Sequence, residues 1–121
     1  MKVYQYIGIL LLLLILDFLW IGVILKNPFS LMIKEVQKSD MEIKIIPAIL
    51  AYVVLFLIAV IYLPKLNSSY EAFLLGFFIY LVYDLTNLAT LKNWNYKIAI
   101  VDSLWGGFLY FLLYNFYIYT N

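Results

Sequence analysis

Asp17, Asp84 and Asp102 each sit inside a different long apolar run of the chain. An ionisable side chain near the centre of a membrane-spanning helix costs roughly 2.5–3.5 kcal/mol, so three cost on the order of 8–10 kcal/mol. Carboxylates in such a setting can bind or pass protons, hold a cation, or tie neighbouring helices together by accepting hydrogen bonds. With no His and no Cys, the chain has no imidazole base, thiol nucleophile, zinc site or disulfide. Chemistry must run on carboxylates, hydroxyls, amides or Lys. No nucleophile motif and no phosphate-cradling glycine loop accompanies them, so no catalytic residue, metal site or cofactor is expected.

The elements that position these carboxylates follow from composition. At 121 residues, 67% hydrophobic and 12% charged, the chain is far more apolar than a soluble domain. Its expected partner is the lipid bilayer. The net charge of +1 without a basic block gives no footprint for nucleic acid.

A membrane-spanning helix needs about 20 largely apolar residues. Four segments meet or approach this: Val3 to Leu25, Ile45 to Leu63, Ala72 to Leu91 and Ile98 to Tyr119. The expected fold is all-α: an antiparallel bundle of four transmembrane helices in a single domain. The first run lacks a small-x-small cleavage site and carries Asp17, so it is expected to be retained rather than removed as a signal. Between Lys26 and Lys44, Phe29, Met32, Ile33 and Val36 recur at helical spacing behind Asn27-Pro28, which predicts a short interfacial helix. Ser39 and Glu42 have capping-box spacing ahead of the second span, and Pro47 either kinks that span or starts it.

Sidedness follows from the lysines. Lys26, Lys34, Lys38, Lys44, Lys92 and Lys97 fall in the first and third loops, against only Lys2 and Lys65 at the N-terminus and second loop. The positive-inside rule places both termini outside and loops one and three in the cytoplasm. Tyr110, Tyr114, Tyr117 and Tyr119 are expected to contribute to an outer aromatic belt, and Trp94 and Tyr96 to an inner one.

Measured from the Lys-rich loops, Asp17 and Asp84 lie about 12–14 Å along their helices and Asp102 about 7–8 Å, all within one leaflet. Tyr52 falls at the depth of Asp17 by the same measure. On the third span Gly76, Tyr80, Tyr83, Asp84, Asn87 and Thr90 or Leu91 follow helical spacing and Thr86 widens the polar sector, so this face is expected to point into the bundle. Gly76 and the pair Gly106-Gly107 are expected to let helices approach closely.

A short repeat links the first and last spans. Asp17-Phe18-Leu19-Trp20-Ile21-Gly22 and Asp102-Ser103-Leu104-Trp105-Gly106-Gly107 share the pattern D-x-L-W-x-G. Asp and Trp are three residues apart and share a helix face. Because the two spans run in opposite directions, Asp17 comes level with Trp105 and Asp102 with Trp20. The indole N–H is a donor only, so reciprocal hydrogen bonds from each Trp to the opposite Asp are expected.

The run Tyr83-Asp84-Leu85-Thr86-Asn87-Leu88-Ala89-Thr90-Leu91-Lys92, followed by Trp94, Val101-Asp102 and Trp105-Gly106, resembles the signature of the small membrane-protein family catalogued as domain of unknown function 2177. Leu16-Asp17, Leu19-Trp20 and Gly22 look like the N-terminal part of that pattern, so the resemblance covers essentially the whole chain. It implies a four-span membrane protein and brings no activity with it. Asn93 and Asn95 stand where the pattern has Gly and Pro, which alters how the fourth helix begins.

The expected polar core comprises Asp17, Trp20, Tyr52, Tyr83, Asp84, Thr86, Asn87, Asp102 and Trp105. Three uses of it stand side by side. It could bind or transport a proton, a cation or a small polar solute, with Asp84 as the key carboxylate. It could serve only to fix helix packing, or it could act on a lipid with Asp84 as acid or base. So small a bundle has little room for a conduit, and transport would call for a homo-oligomer.

Overall fold

A bilayer offers the backbone no hydrogen bonds, so each crossing must satisfy its own, and a chain this apolar folds into helices. The computed structural model describes residues 1–26, 45–90 and 96–121. Helix α1 spans Val3–Lys26, α2 Ile45–Tyr62, α3 Ser69–Thr90 and α4 Tyr96–Thr120. All four are long and apolar enough to cross a membrane, and no strand occurs among the described residues. The interfacial helix expected between Lys26 and Lys44, the Ser39–Glu42 cap and the Asn93–Asn95 loop lie outside the described residues.

Local sequence explains the helix ends. Pro47 lies in the first turn of α2, where a helix has no acceptor for the missing N–H. Pro64 sits at the start of a 3-10 turn, Leu63–Lys65, into which α2 runs. Helix α3 opens a turn ahead of the expected Ala72 because Ser68-x-x-Glu71 is itself a capping box. Ser68 Oγ accepts from the Glu71 N–H at 3.3 Å, and Glu71 Oε1 accepts from the Asn67 N–H at 2.6 Å.

Helix α4 is the central post. It packs most extensively against α3 and next against α1, while α2 lies on α1. Half of its spanning window is buried, against 22% or less for the other three. The close approach of α3 is built on glycine: a Cβ at Gly76 would strike the Gly106 carbonyl oxygen, and one at Gly107 would stand 2.7 Å from the Phe73 ring. Toward the chain termini the core is apolar, with Ile9, Leu13, Ala72, Leu109 and Leu113 fully buried.

Two of the tyrosines expected in the outer belt belong to this core. Tyr110 is fully buried and Tyr114 nearly so, because α4 is covered on several sides and leaves little of its surface to lipid. Tyr110 donates its hydroxyl to the Leu55 carbonyl at 2.7 Å, tying α4 to α2. Tyr119, at the end of the helix, is exposed.

Candidate functional site

Antiparallel packing of α1 against α4 brings the two halves of the D-x-L-W-x-G repeat face to face. Trp20 Nε1 donates to Asp102 Oδ1 at 2.9 Å, and Trp105 Nε1 donates to Asp17 Oδ1 at 3.3 Å. Both reciprocal hydrogen bonds expected from the repeat are present. Between them the two indoles stack, with centroids 5.0 Å apart and planes 6° from parallel. That separation is within the range of favourable aromatic pairs. The glycines of the repeat are not equivalent: Gly107 lies against Phe73, whereas no described atom comes within 4 Å of a Cβ placed on Gly22.

Asp17 is the better furnished carboxylate. Besides Trp105 it accepts from the Tyr52 hydroxyl of α2 and, at 3.4 Å, from the Tyr80 hydroxyl of α3. One side chain on α1 thus holds donors from all three other helices. It is nearly buried, as a carboxylate can be when several donors replace its water.

Asp84 is placed differently. It is fully buried, yet among the described residues neither of its oxygens receives a hydrogen bond. Its polar neighbours are Asp102 and Ser103 on α4. Ser103 cannot serve it well, because its hydroxyl donates to the Ala99 carbonyl at 2.7 Å. Asp102, half-buried, is itself an acceptor. Two carboxyl groups within hydrogen-bonding reach need something between them, since neither has a proton to donate when both are ionised.

The expected polar face of α3 is narrower than its sequence spacing implied. Ala72, Gly76 and Asp84 are buried and Tyr80 half-buried, a stripe advancing four residues at a time. Tyr83 is 60% exposed on the outside of the bundle, because one residue before Asp84 means about 100° around the helix. Thr86 is exposed as well, with its hydroxyl donating to the Val82 carbonyl at 2.7 Å. Asn87 is half-buried one turn beyond Asp84. Tyr80 and Ser103, absent from the expected set, stand at the site. The Tyr80 signal was its place in the α3 stripe; Ser103 carried none, since a Ser in a spanning helix commonly bonds its own backbone.

Two polar layers therefore lie in the half of the bundle nearer loops one and three. The layer of Asp17, Tyr52, Tyr80 and Trp105 is saturated with donors, and the layer of Trp20, Asp84, Asp102 and Ser103 is short of them. Among the described residues no three acidic side chains gather closely enough to hold a metal ion.

Such a bundle defines a multi-pass integral membrane protein with four candidate spans and carboxylates in its interior. The chain belongs to the family described as predicted membrane protein, DUF2177, which it matches over residues 2–115. No curated protein and no solved structure matches it.

Proposed function

We propose that this protein is a membrane-embedded binding site for a proton, formed by Asp84 of α3 and Asp102 of α4. The observation that carries this reading is the full burial of Asp84 without a donor for either oxygen among the described residues. An ionised carboxylate taken out of water costs several kcal/mol unless it is paired. No Lys lies within the apolar runs, and neither oxygen of Asp84 has a hydrogen-bond partner among the described residues, so a proton on the carboxyl itself is the most direct compensation. A proton on Asp84 turns one oxygen into a donor that faces Asp102. A monovalent cation between the two would do the same work less well, because among the described residues the neutral side chains near Asp84 are few, the half-buried Asn87 and a Ser103 whose hydroxyl is committed to Ala99.

The site lies in the cytoplasmic leaflet if the lysine distribution sets the orientation, with both termini outside. A single copy suffices to bind; carriage across the bilayer calls for a second copy of the chain. Asp17, whose donors come from α2, α3 and α4, serves instead as the structural anchor of the bundle.

Infrared spectroscopy of the protein in lipid nanodiscs tests the reading. A protonated-carboxyl C=O band is expected in the wild type and is lost in Asp84→Asn while the helical circular dichroism is retained. A wild type without the band, or a band unchanged by the substitution, overturns it. A rise in melting temperature with Na⁺ that Asp84→Asn abolishes would assign the site to a cation, since a ligand of the folded form stabilises by mass action.

A further inference from the structure

Asp84 is sealed, and yet a proton site is useful only if its proton can leave. Asp102 is the polar group beside it that is half-buried rather than buried. Ser103 spends its hydroxyl on Ala99. Asn87 lies one turn along α3 in the same direction, but an amide can orient a proton donor without readily carrying the proton itself. One oxygen of Asp102 accepts from the Trp20 indole, which fixes the carboxyl and leaves the other oxygen for Asp84. Asp102 lies six residues from Tyr96, the first residue of α4, or about 9 Å of helix.

In the opposite direction the route closes. On the α1 side the oxygens of Asp17 are occupied by Tyr52, Tyr80 and Trp105. Tyr110 gives its hydroxyl to the Leu55 carbonyl. Beyond these, fully buried Ile9, Leu13, Leu109 and Leu113 fill the bundle, and Gly76 meets the Gly106 backbone with no space between. The next polar side-chain pairs are Ser69 with Asn115 and Gln5 with Thr120. Twelve residues separate Asp17 from Gln5, about 18 Å of helix.

We infer that Asp102 relays protons between Asp84 and the loop-one and loop-three end of the bundle, and that the route ends at Asp84. The inference rests on the proton-site reading and adds its gate and its direction. The step is a plain proton transfer: an O–H bond on Asp84 breaks as one forms on Asp102, which then gives the proton to water at that end. Trp20 is a positioning residue, holding the Asp102 carboxyl toward Asp84. A membrane protein with such a one-ended site responds to proton activity on one side and does not conduct.

Two measurements test this. The first follows hydrogen–deuterium exchange of the Asp84 carboxyl through the isotope shift of its C=O band. In Asp102→Asn, which keeps an acceptor for Trp20 but cannot be a proton carrier, the band persists and its exchange slows by roughly 10²-fold, the scale of losing a positioned acid–base group. Asp102→Glu restores exchange toward the wild-type rate, which a purely structural role of Asp102 would not predict. Exchange as fast in Asp102→Asn as in wild type overturns the relay while leaving the site; a band that never belonged to Asp84 brings down both. The second uses wild type alone, so it is independent of whether a variant folds. Proton flux into liposomes carrying the wild type is expected at the level of empty liposomes, and a flux clearly above that level overturns the one-ended route.

Discussion

The two buried aspartates Asp17 and Asp84 differ in what surrounds them, and that difference sets opposite expectations for their removal. Asp17→Ala orphans the hydroxyls of Tyr52 and Tyr80 and the indole N–H of Trp105. Each buried donor left unmade costs about 1–3 kcal/mol, so a loss of at least about 3 kcal/mol is expected. Trp105→Phe keeps a ring to stack on Trp20 and removes one donor, costing about 0.5–1.5 kcal/mol. Asp84→Asn replaces a carboxyl without a donor by an amide whose N–H can face Asp102, and is expected to cost less than about 1 kcal/mol or to stabilise. Unfolding of the three variants in mixed micelles checks the ranking, and a double-mutant cycle on Asp17 and Trp105 isolates their coupling. A larger loss for Asp84→Asn than for Asp17→Ala would remove the distinction between anchor and site. The Asp–Trp pairing was legible in sequence because it needs only residue spacing and antiparallel direction, and both are fixed once the spans are. The lack of donors at Asp84 was not legible, since it depends on where the Ser103 hydroxyl turns and on which oxygens the neighbours leave free.

At the scale of the helix, rotation about the axis is the quantity sequence conveys worst here. The polar residues of α3 spread over too wide a sector to orient it closely, so the polar face assigned to α3 included Tyr83 and Thr86, which the structure turns outward. What fixes the rotation is the glycine contact with α4. Gly76 faces backbone, the Gly106 carbonyl, while Gly107 faces a side chain, the Phe73 ring. A ring can swing aside and a carbonyl in a helix cannot. Gly76→Ala is therefore expected to push α3 from α4 and cost about 1–3 kcal/mol, the range for overpacking a filled interior, and Gly107→Ala to cost less. Melting temperatures of the two variants side by side decide it; equal losses would mean that the helices are not held at this distance. Because Asp84 lies two turns along the same face as Gly76, the Gly76 variant should also expose its carboxyl to faster deuterium exchange. The helix ends show the same limit of sequence reading. Ser68 and Glu71 have the spacing read at Ser39 and Glu42, but the apolar run alone placed the start of α3 at Ala72, one turn late, and the capping bonds decide it.

For the whole molecule, asymmetry between the two ends is the property with functional consequence. The end that carries the termini and the second loop is closed by apolar packing and by local polar ties, such as Gln5 to Tyr117 and Thr120. The end that carries loops one and three lies nearer both polar layers. Four of the six lysines assigned to loops one and three, Lys26, Lys34, Lys38 and Lys44, lie in or beside the first loop, and Lys92 and Lys97 flank the third. If these face the cytoplasm, a site exchanging protons through Asp102 reports on cytoplasmic proton activity; if they face outward, it reports on the exterior. The chain has no native Cys, so single cysteines can be placed without background. Ser68→Cys, in the second loop, is expected to react with a membrane-impermeant thiol reagent in intact cells, whereas Asn93→Cys, in the third, reacts only after the membrane is opened. The reverse pattern would invert the protein and send the proton route to the other compartment without altering the site. Reaction of both in intact cells would be the more damaging result, because it would place the second and third loops on the same side and take α3 out of the membrane, and with it the burial on which the reading of Asp84 depends.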